Sequence, residues 1–201
     1  MEQAIDERHK EKAALRQESY ARKKASATQE KGLIIVHTGP GKGKTTAALG
    51  LAFRALGQGM RVGIVQFIKG AIPTGEAALV KQLALPIAMY TLGDGFTWNT
   101  QNRDQDVVTA RRAWDQAVQL LRDPALDMVI LDELNIVLRY EYLPMDEVLE
   151  ELRQKRDMLH VVITGRNARE PLLEMADLVT EMKLIKHPYK SGIKAQRGVE
   201  F

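Results

Sequence analysis

A short β-rich run, residues 33–37, leads directly into Thr38-Gly39-Pro40-Gly41-Lys42-Gly43-Lys44-Thr45-Thr46 and then into the helix-forming stretch AALGLAFRAL. A strand, a glycine-rich turn and a helix in that order make a cradle for phosphate. Gly39, Gly41 and Gly43 let the backbone curl so that successive N–H groups face an anion. The helix start adds the positive end of its dipole. Lys44 supplies a point charge for phosphate oxygens, and Thr45 a hydroxyl for a magnesium ion. The strict pattern G-x-x-x-x-G-K-[ST] has glycine where this chain has Thr38, and the glycines here are denser, at 39, 41 and 43. The loop therefore reads as phosphate-binding without being a standard hydrolase loop. The alternative is a glycine-rich turn that holds no ligand.

Downstream, β-rich runs alternate with helical ones. Strands are predicted at 33–37, 61–67, 87–92, 127–131, 160–164 and 178–184, and helices near 44–57, 75–84, 104–122, 133–140, 145–156 and 168–176. Several strands are near-continuous Val, Ile and Leu, as strands covered on both faces are. The alternation implies an α/β fold with a mainly parallel sheet of about six strands. Ligands in such sheets sit beyond the carboxyl ends of the strands.

Residues 1–31 stand apart as a charged segment with few large apolar side chains, either a solvated helix with i,i+3 and i,i+4 charge pairs or an unstructured tail. The remainder, 32–201, reads as one domain. With 201 residues, the chain buries enough surface to need no disulfide or structural metal. Its lack of cysteine excludes a thiolate metal site and a cysteine nucleophile. A net charge of +3 and 5% aromatic content argue against a nucleic-acid surface. No apolar stretch is long enough to span a membrane and the charged start does not read as a secretory signal, so the expected location is the cytoplasm with no membrane partner.

Three further sites lie at predicted strand ends. Met128-Val129-Ile130-Leu131-Asp132-Glu133 ends a buried run in two carboxylates, which beside a phosphate loop hold magnesium near Thr45. Acidic residues at a helix start are the alternative. Gly93-Asp94-Gly95-Phe96-Thr97-Trp98 places two of the few aromatics in a glycine-rich loop, where Phe96 and Trp98 either pack locally or face a large flat ligand. Arg166, in Thr164-Gly165-Arg166-Asn167, reaches either a phosphate or a surface carboxylate. The basic tail residues Lys186, Lys190, Lys194 and Arg197 meet an anionic ligand or solvent, and His187 reads as structural.

Together TGPGKGKTTAA, VGIVQFIKG, GDGFTWNTQNRD, DMVILDEL, ITGRN and KAQRGVEF resemble the P-loop class of ATP:cob(I)alamin (corrinoid) adenosyltransferases over nearly the whole chain. The resemblance implies a P-loop NTPase-like (RecA-like) three-layer sandwich. It implies transfer of the 5′-deoxyadenosyl group of ATP to the Co(I) centre of a reduced corrinoid, with triphosphate as the leaving group. Mg2+ or Mn2+ would serve as cofactor, a flavin-type reductant or reductase as electron source, and a homodimer as the assembly. By motif position, nucleotide binding falls to Gly39, Pro40, Gly41, Lys42, Gly43, Lys44, Thr45, Thr46 and Arg166. The metal falls to Thr45, Asp132 and Glu133, and catalysis to Lys44, Phe96 and Trp98. The aromatic pair would displace the lower axial ligand of cobalt. Members often carry asparagine where this chain has Pro40, so a side-chain contact to nucleotide from position 40 is not expected here. Residues 1–31 would form a lid over the corrinoid. A RecA-like ATPase using Glu133 to orient water, and a corrinoid carrier without enzymatic activity, are the competing readings.

Overall fold

The computed structural model describes residues 2–68, 74–93 and 102–200. The chain divides into two compact units, Met1–Lys31 and Gly32–Phe201. The first is a single helix, α1 (Glu2–Ser26). Its apolar side chains are too few to form a buried face, and Leu15 and Tyr20 are 61% and 70% exposed. Glu18 and Arg22 form an i,i+4 ion pair on its surface; such an exposed pair contributes at most about 0.5 kcal/mol.

The second unit alternates strands and helices. They run β1 (Ile34–Thr38), α2 (Lys44–Gly57), β2 (Val62–Gln66), α3 (Gly75–Gln82), β3 (Ile87–Thr91), α4 (Arg103–Arg122), β4 (Met128–Asp132), α5 (Leu134–Arg139), α6 (Met145–Arg153), β5 (His160–Thr164), α7 (Glu170–Met175) and β6 (Leu178–Glu181). A 3-10 turn follows at Pro188–Ser191. The strands form one six-stranded sheet in the order β3-β2-β4-β5-β1-β6, and every pairing is parallel. This is a P-loop NTPase-like, RecA-like arrangement, with one strand, β5, between the phosphate-loop strand β1 and the acidic strand β4.

Side chains alternate across the pleat, and each face has its own core. Ile35, Ile64, Ile130 and Val162 pack under Ala48, Leu49, Ala52 and Ala55 of α2. Val36, Val65, Leu131 and Ile163 face the other way, onto residues of α4, α5, α6 and α7. There the buried Trp114 of α4 donates its indole N–H to Glu147 Oε1 of α6 at 2.9 Å. The central strands are buried along their length, as their continuous aliphatic composition requires.

The edge strands depart from the expected double coverage. All four residues of β6 are exposed. That strand also stops three residues short of the expected end at 184. Its partner β1 turns into the phosphate loop after Thr38, which pairs with Glu181. Beyond that pair the two segments are joined through Met182 alone, whose N–H donates to the Thr38 carbonyl and whose carbonyl accepts from Gly41, rather than by a regular ladder. The acidic strand ends at Asp132, and Glu133 is displaced from it with a φ of 67°.

Candidate functional site

The parallel sheet sends β1, β2, β4 and β5 to a common edge with their carboxyl ends aligned. The phosphate loop leaves β1 there. Gly43 takes a φ of 103° and caps α2, a conformation that L side chains rarely adopt. The side chain of Lys44, 6% exposed, folds back beneath the loop. Its Nζ donates to the carbonyls of Gly39 at 2.8 Å and Gly41 at 2.6 Å. Burial pushes the Lys44 pKa below the ordinary lysine value. The charges of Arg166 and Lys42 add to that shift, while Glu133 and Asp132 oppose it. An incoming phosphate would add negative charge beside this cation and favour its protonated form.

The dense glycines serve packing as well as anion binding. The Gly41 N–H donates to the Met182 carbonyl at 2.6 Å, so this amide is turned toward β6 rather than toward a ligand. A Cβ on Gly41 would lie 2.6 Å from that same oxygen. Of the successive N–H groups expected to face an anion, that of Gly41 is engaged by Met182. The loop sits so close to the chain leaving β6 that only glycine fits.

A cavity of about 700 Å3 opens over the loop, within the usual range for small-molecule sites. Gly41, Lys42, Gly43, Lys44, Thr45, Thr46 and Arg166 all line it. Gly39 and Pro40 do not: Gly39 acts through its carbonyl on Lys44, and Pro40 points outward and is exposed. The lining also holds residues that sequence reasoning missed, including Phe53, Leu79, Glu76 and Glu200. Phe53 carried a readable signal. It falls on the same helical face as Thr46 and Gly50, outside the buried 48/49/52/55 stripe. Glu200 carried none, because its approach to the loop depends on the path of the last residues. It forms an ion pair with Lys42. Of the tail, Gly198, Val199 and Glu200 line the cavity, and the basic Lys186, Lys190, Lys194 and Arg197 do not.

Beside Thr45 stands the acidic strand end. Asp132 is 1% exposed and accepts three side-chain hydrogen bonds. Thr45 Oγ1 donates to its Oδ1 at 2.8 Å, Thr164 Oγ1 to the same atom at 2.7 Å, and Gln66 Nε2 to its Oδ2 at 3.0 Å. Thr164 also accepts the Glu133 N–H at 2.9 Å. The left-handed backbone at Glu133 separates the directions of the two carboxylates. The Glu133 side chain passes over Gly165, where a Cβ would come within 3.3 Å of its Oε2. Gly165 itself has a φ of 130°, and a Cβ there would also lie 2.8 Å from Asn135 Cβ, so backbone conformation and the Asn135 contact demand glycine here. Asn135 Nδ2 donates to the Gly165 carbonyl at 3.3 Å and joins the acidic end to the loop that carries Arg166.

These groups suit a hard cation bridging to phosphate. The Thr45 hydroxyl donates its hydrogen bond to Asp132, which leaves its oxygen lone pairs available to a cation. Among the described residues no cluster of three or more His, Cys, Asp or Glu forms a complete metal cage. Magnesium needs none, since it keeps waters and takes phosphate oxygens with one or two carboxylates. Phe96 and Trp98 lie outside the described residues.

Comparison with known proteins agrees with this geometry. The family described as ATP:corrinoid adenosyltransferase BtuR/CobO/CobP matches residues 30–201. A corrinoid adenosyltransferase of Sinorhizobium sp is 54% identical over 98% of this chain and 92% of its own length. One from Pseudomonas aeruginosa is 49% identical over 98% and 97%, and one from Escherichia coli 44% identical over 98% and 99%.

Proposed function

The chain belongs to the ATP:corrinoid adenosyltransferase family and transfers an adenosyl group to a corrinoid; from that premise we propose how its residues divide the work. The substrate is a corrinoid reduced to Co(I), whose cobalt electron pair forms a bond to C5′ of ATP. The C5′–O bond breaks and its electrons leave with triphosphate. Co(I) is a strong nucleophile, so no general base is required. The protein's task is to hold C5′ in line and to stabilise charge on the leaving group. The observation that carries this reading is the buried Lys44 under a glycine loop that opens onto a 700 Å3 cavity.

Lys42, Lys44, Thr46, Arg166 and the loop amides bind the triphosphate. Mg2+ or Mn2+, when bound, supplies Lewis-acid stabilisation of the departing phosphates. Thr45 and Glu133 hold it, with Asp132 orienting the Thr45 hydroxyl. No step asks Glu133 to activate water. Phe96 and Trp98 displace the lower axial ligand of cobalt, which eases reduction to Co(I) by a flavin-type reductant or reductase. Residues 1–31 serve as a lid for the corrinoid, in a homodimer located in the cytoplasm. No described helix is long and apolar enough to cross a membrane.

Incubation with ATP, magnesium and chemically reduced cobalamin tests the reaction. Triphosphate and a light-sensitive cobalt–carbon bond are expected. ADP and phosphate would mark an ATPase instead, and the absence of any product a carrier. For the aromatic pair, Phe96→Ala with Trp98→Ala is expected to impair turnover from Co(II) far more than from prereduced Co(I). Equal loss of both would make the two rings packing residues.

A further inference from the structure

Four parallel strands end in a row of polar side chains, and the outer members of that row have no part in the division of work above. Gln66 at the end of β2 is in register with Thr91 of β3 on one side and with Asp132 of β4 on the other. The three side chains form a directed chain. Thr91 Oγ1 donates to Gln66 Oε1 at 2.9 Å, and Gln66 Nε2 donates to Asp132 Oδ2 at 3.0 Å. Asp132 Oδ1 then accepts the Thr45 hydroxyl at 2.8 Å. Gln66 is 2% exposed, in a place where a neighbouring apolar residue would be the default for a buried parallel strand.

An amide can face either way, and its neighbours select the orientation. If the Gln66 amide were reversed, its oxygen would meet Asp132 Oδ2, setting two acceptors against each other. The carboxylate, which only accepts, therefore sets the amide orientation, and the Thr91 hydroxyl, which can donate or accept, donates to the Oε1 so presented and holds the amide in place. Gln66 then holds Asp132 from one side while Thr164 holds it from the other. With both supports, Oδ1 faces the phosphate-loop helix and accepts the Thr45 hydroxyl hydrogen bond, which leaves the Thr45 lone pairs available to a cation.

We propose that Gln66, anchored by the Thr91 hydroxyl, is a positioning residue for the divalent metal–ATP complex, acting through Asp132 on the Thr45 hydroxyl. The proposal rests on the reading of Thr45 and Glu133 as the metal-holding pair. Partners hydrogen-bonded directly to a metal ligand, as Asp132 is to Thr45, typically change metal affinity by about 10–100-fold, and Gln66 and Thr91 act through that carboxylate with a smaller effect. The chain predicts a defect confined to the metal: weaker divalent-cation binding in the presence of ATP, with the Michaelis constant for corrinoid unchanged and turnover recovered at high metal concentration.

The test measures Mn2+ affinity in the presence of ATP by the electron paramagnetic resonance signal of free Mn2+, for the full chain and for Thr91→Val, Thr91→Ser and Gln66→Met. Thr91 lies at the exposed end of β3, and valine keeps its shape, so Thr91→Val folds even if Gln66→Met does not. Thr91→Val is expected to weaken Mn2+ binding measurably, by less than the roughly tenfold or greater loss typical of a direct partner of a ligand. Thr91→Ser restores it, and the Mg2+ concentration for half-maximal turnover follows the same order. Mn2+ affinity in Thr91→Val equal to that of the parent, while the parent itself requires a divalent cation, overturns the role of Gln66 and Thr91 alone. A parent that turns over without any divalent cation overturns the metal reading and this proposal with it.

Discussion

Replacing Gly41 by alanine separates the packing role of the phosphate loop from its binding role. The new Cβ would lie 2.6 Å from the Met182 carbonyl oxygen and 2.8 Å from both the Lys183 carbonyl oxygen and the Met182 carbonyl carbon. All three are backbone atoms and cannot swing aside as a side-chain end would. Relief requires the loop to lift from the chain after β6. Overpacking of this kind costs about 1–3 kcal/mol, and stretching the 2.6 Å hydrogen bond from Gly41 N–H to Met182 about another 1 kcal/mol. The expected loss is therefore about 2–4 kcal/mol, a drop of roughly 1–2 M in the urea midpoint for a protein of ordinary denaturant sensitivity. Gly50, on the exposed face of α2, is the matched control, because nothing lies within 4 Å of a Cβ there. Gly50→Ala should stabilise by about 0.5–1 kcal/mol through helix propensity. Urea titration followed by the fluorescence of the buried Trp114 reads both variants. Because the Gly41 carbonyl also holds Lys44 Nζ, Gly41→Ala should raise the Michaelis constant for ATP as well, and Gly50→Ala should leave it unchanged. A Gly41→Ala protein as stable as the parent, with unaltered use of ATP, would refute the close approach of loop and β6 exit.

Lys44→Ala should lower kcat/KM for ATP by about 10²–10³, the usual loss when a charged donor to a departing oxyanion is removed; turnover near that of the parent at saturating substrates would exclude Lys44 from the mechanism. Glu200→Gln removes the carboxylate paired with Lys42 at the cavity. It should tighten inhibition by tripolyphosphate about fivefold at low ionic strength and less at high salt, so an affinity unchanged at both would count against competition between Glu200 and phosphate. His37 is buried on β1, neither ring nitrogen has a hydrogen-bond partner among the described residues, and burial lowers its pKa. The unfolded chain takes up this proton as pH falls below about 6.5 while the folded ring stays neutral, so stability falls with acidification from that point. His37→Leu should flatten the decline in melting temperature between about pH 7 and pH 5, and parallel declines in parent and variant would remove His37 as its source.

What the amino-acid sequence determined by itself was local. The aliphatic runs, the Ala- and Leu-rich helix after the loop, the spacing of GKGKTT and the paired carboxylates after MVIL are written in contiguous residues. Periodicity and backbone sterics act over such distances whatever the rest of the chain does. The helix at 44–57 and the strand at 160–164 consequently match Lys44–Gly57 and His160–Thr164. The tertiary structure decided everything that depends on which strand lies beside which. Placing β5 between β1 and β4 brings Thr164 to Asp132 across 32 positions, and placing β2 on the other side brings Gln66 to the same carboxylate across 66. The use of the Gly41 N–H by Met182 and the reach of Glu200 to Lys42 belong to the same class. None of these contacts is encoded in a spacing, because the order of a parallel sheet follows from how its crossover helices bury their apolar faces together. A side chain at a strand end acquires its partners only once that order is set.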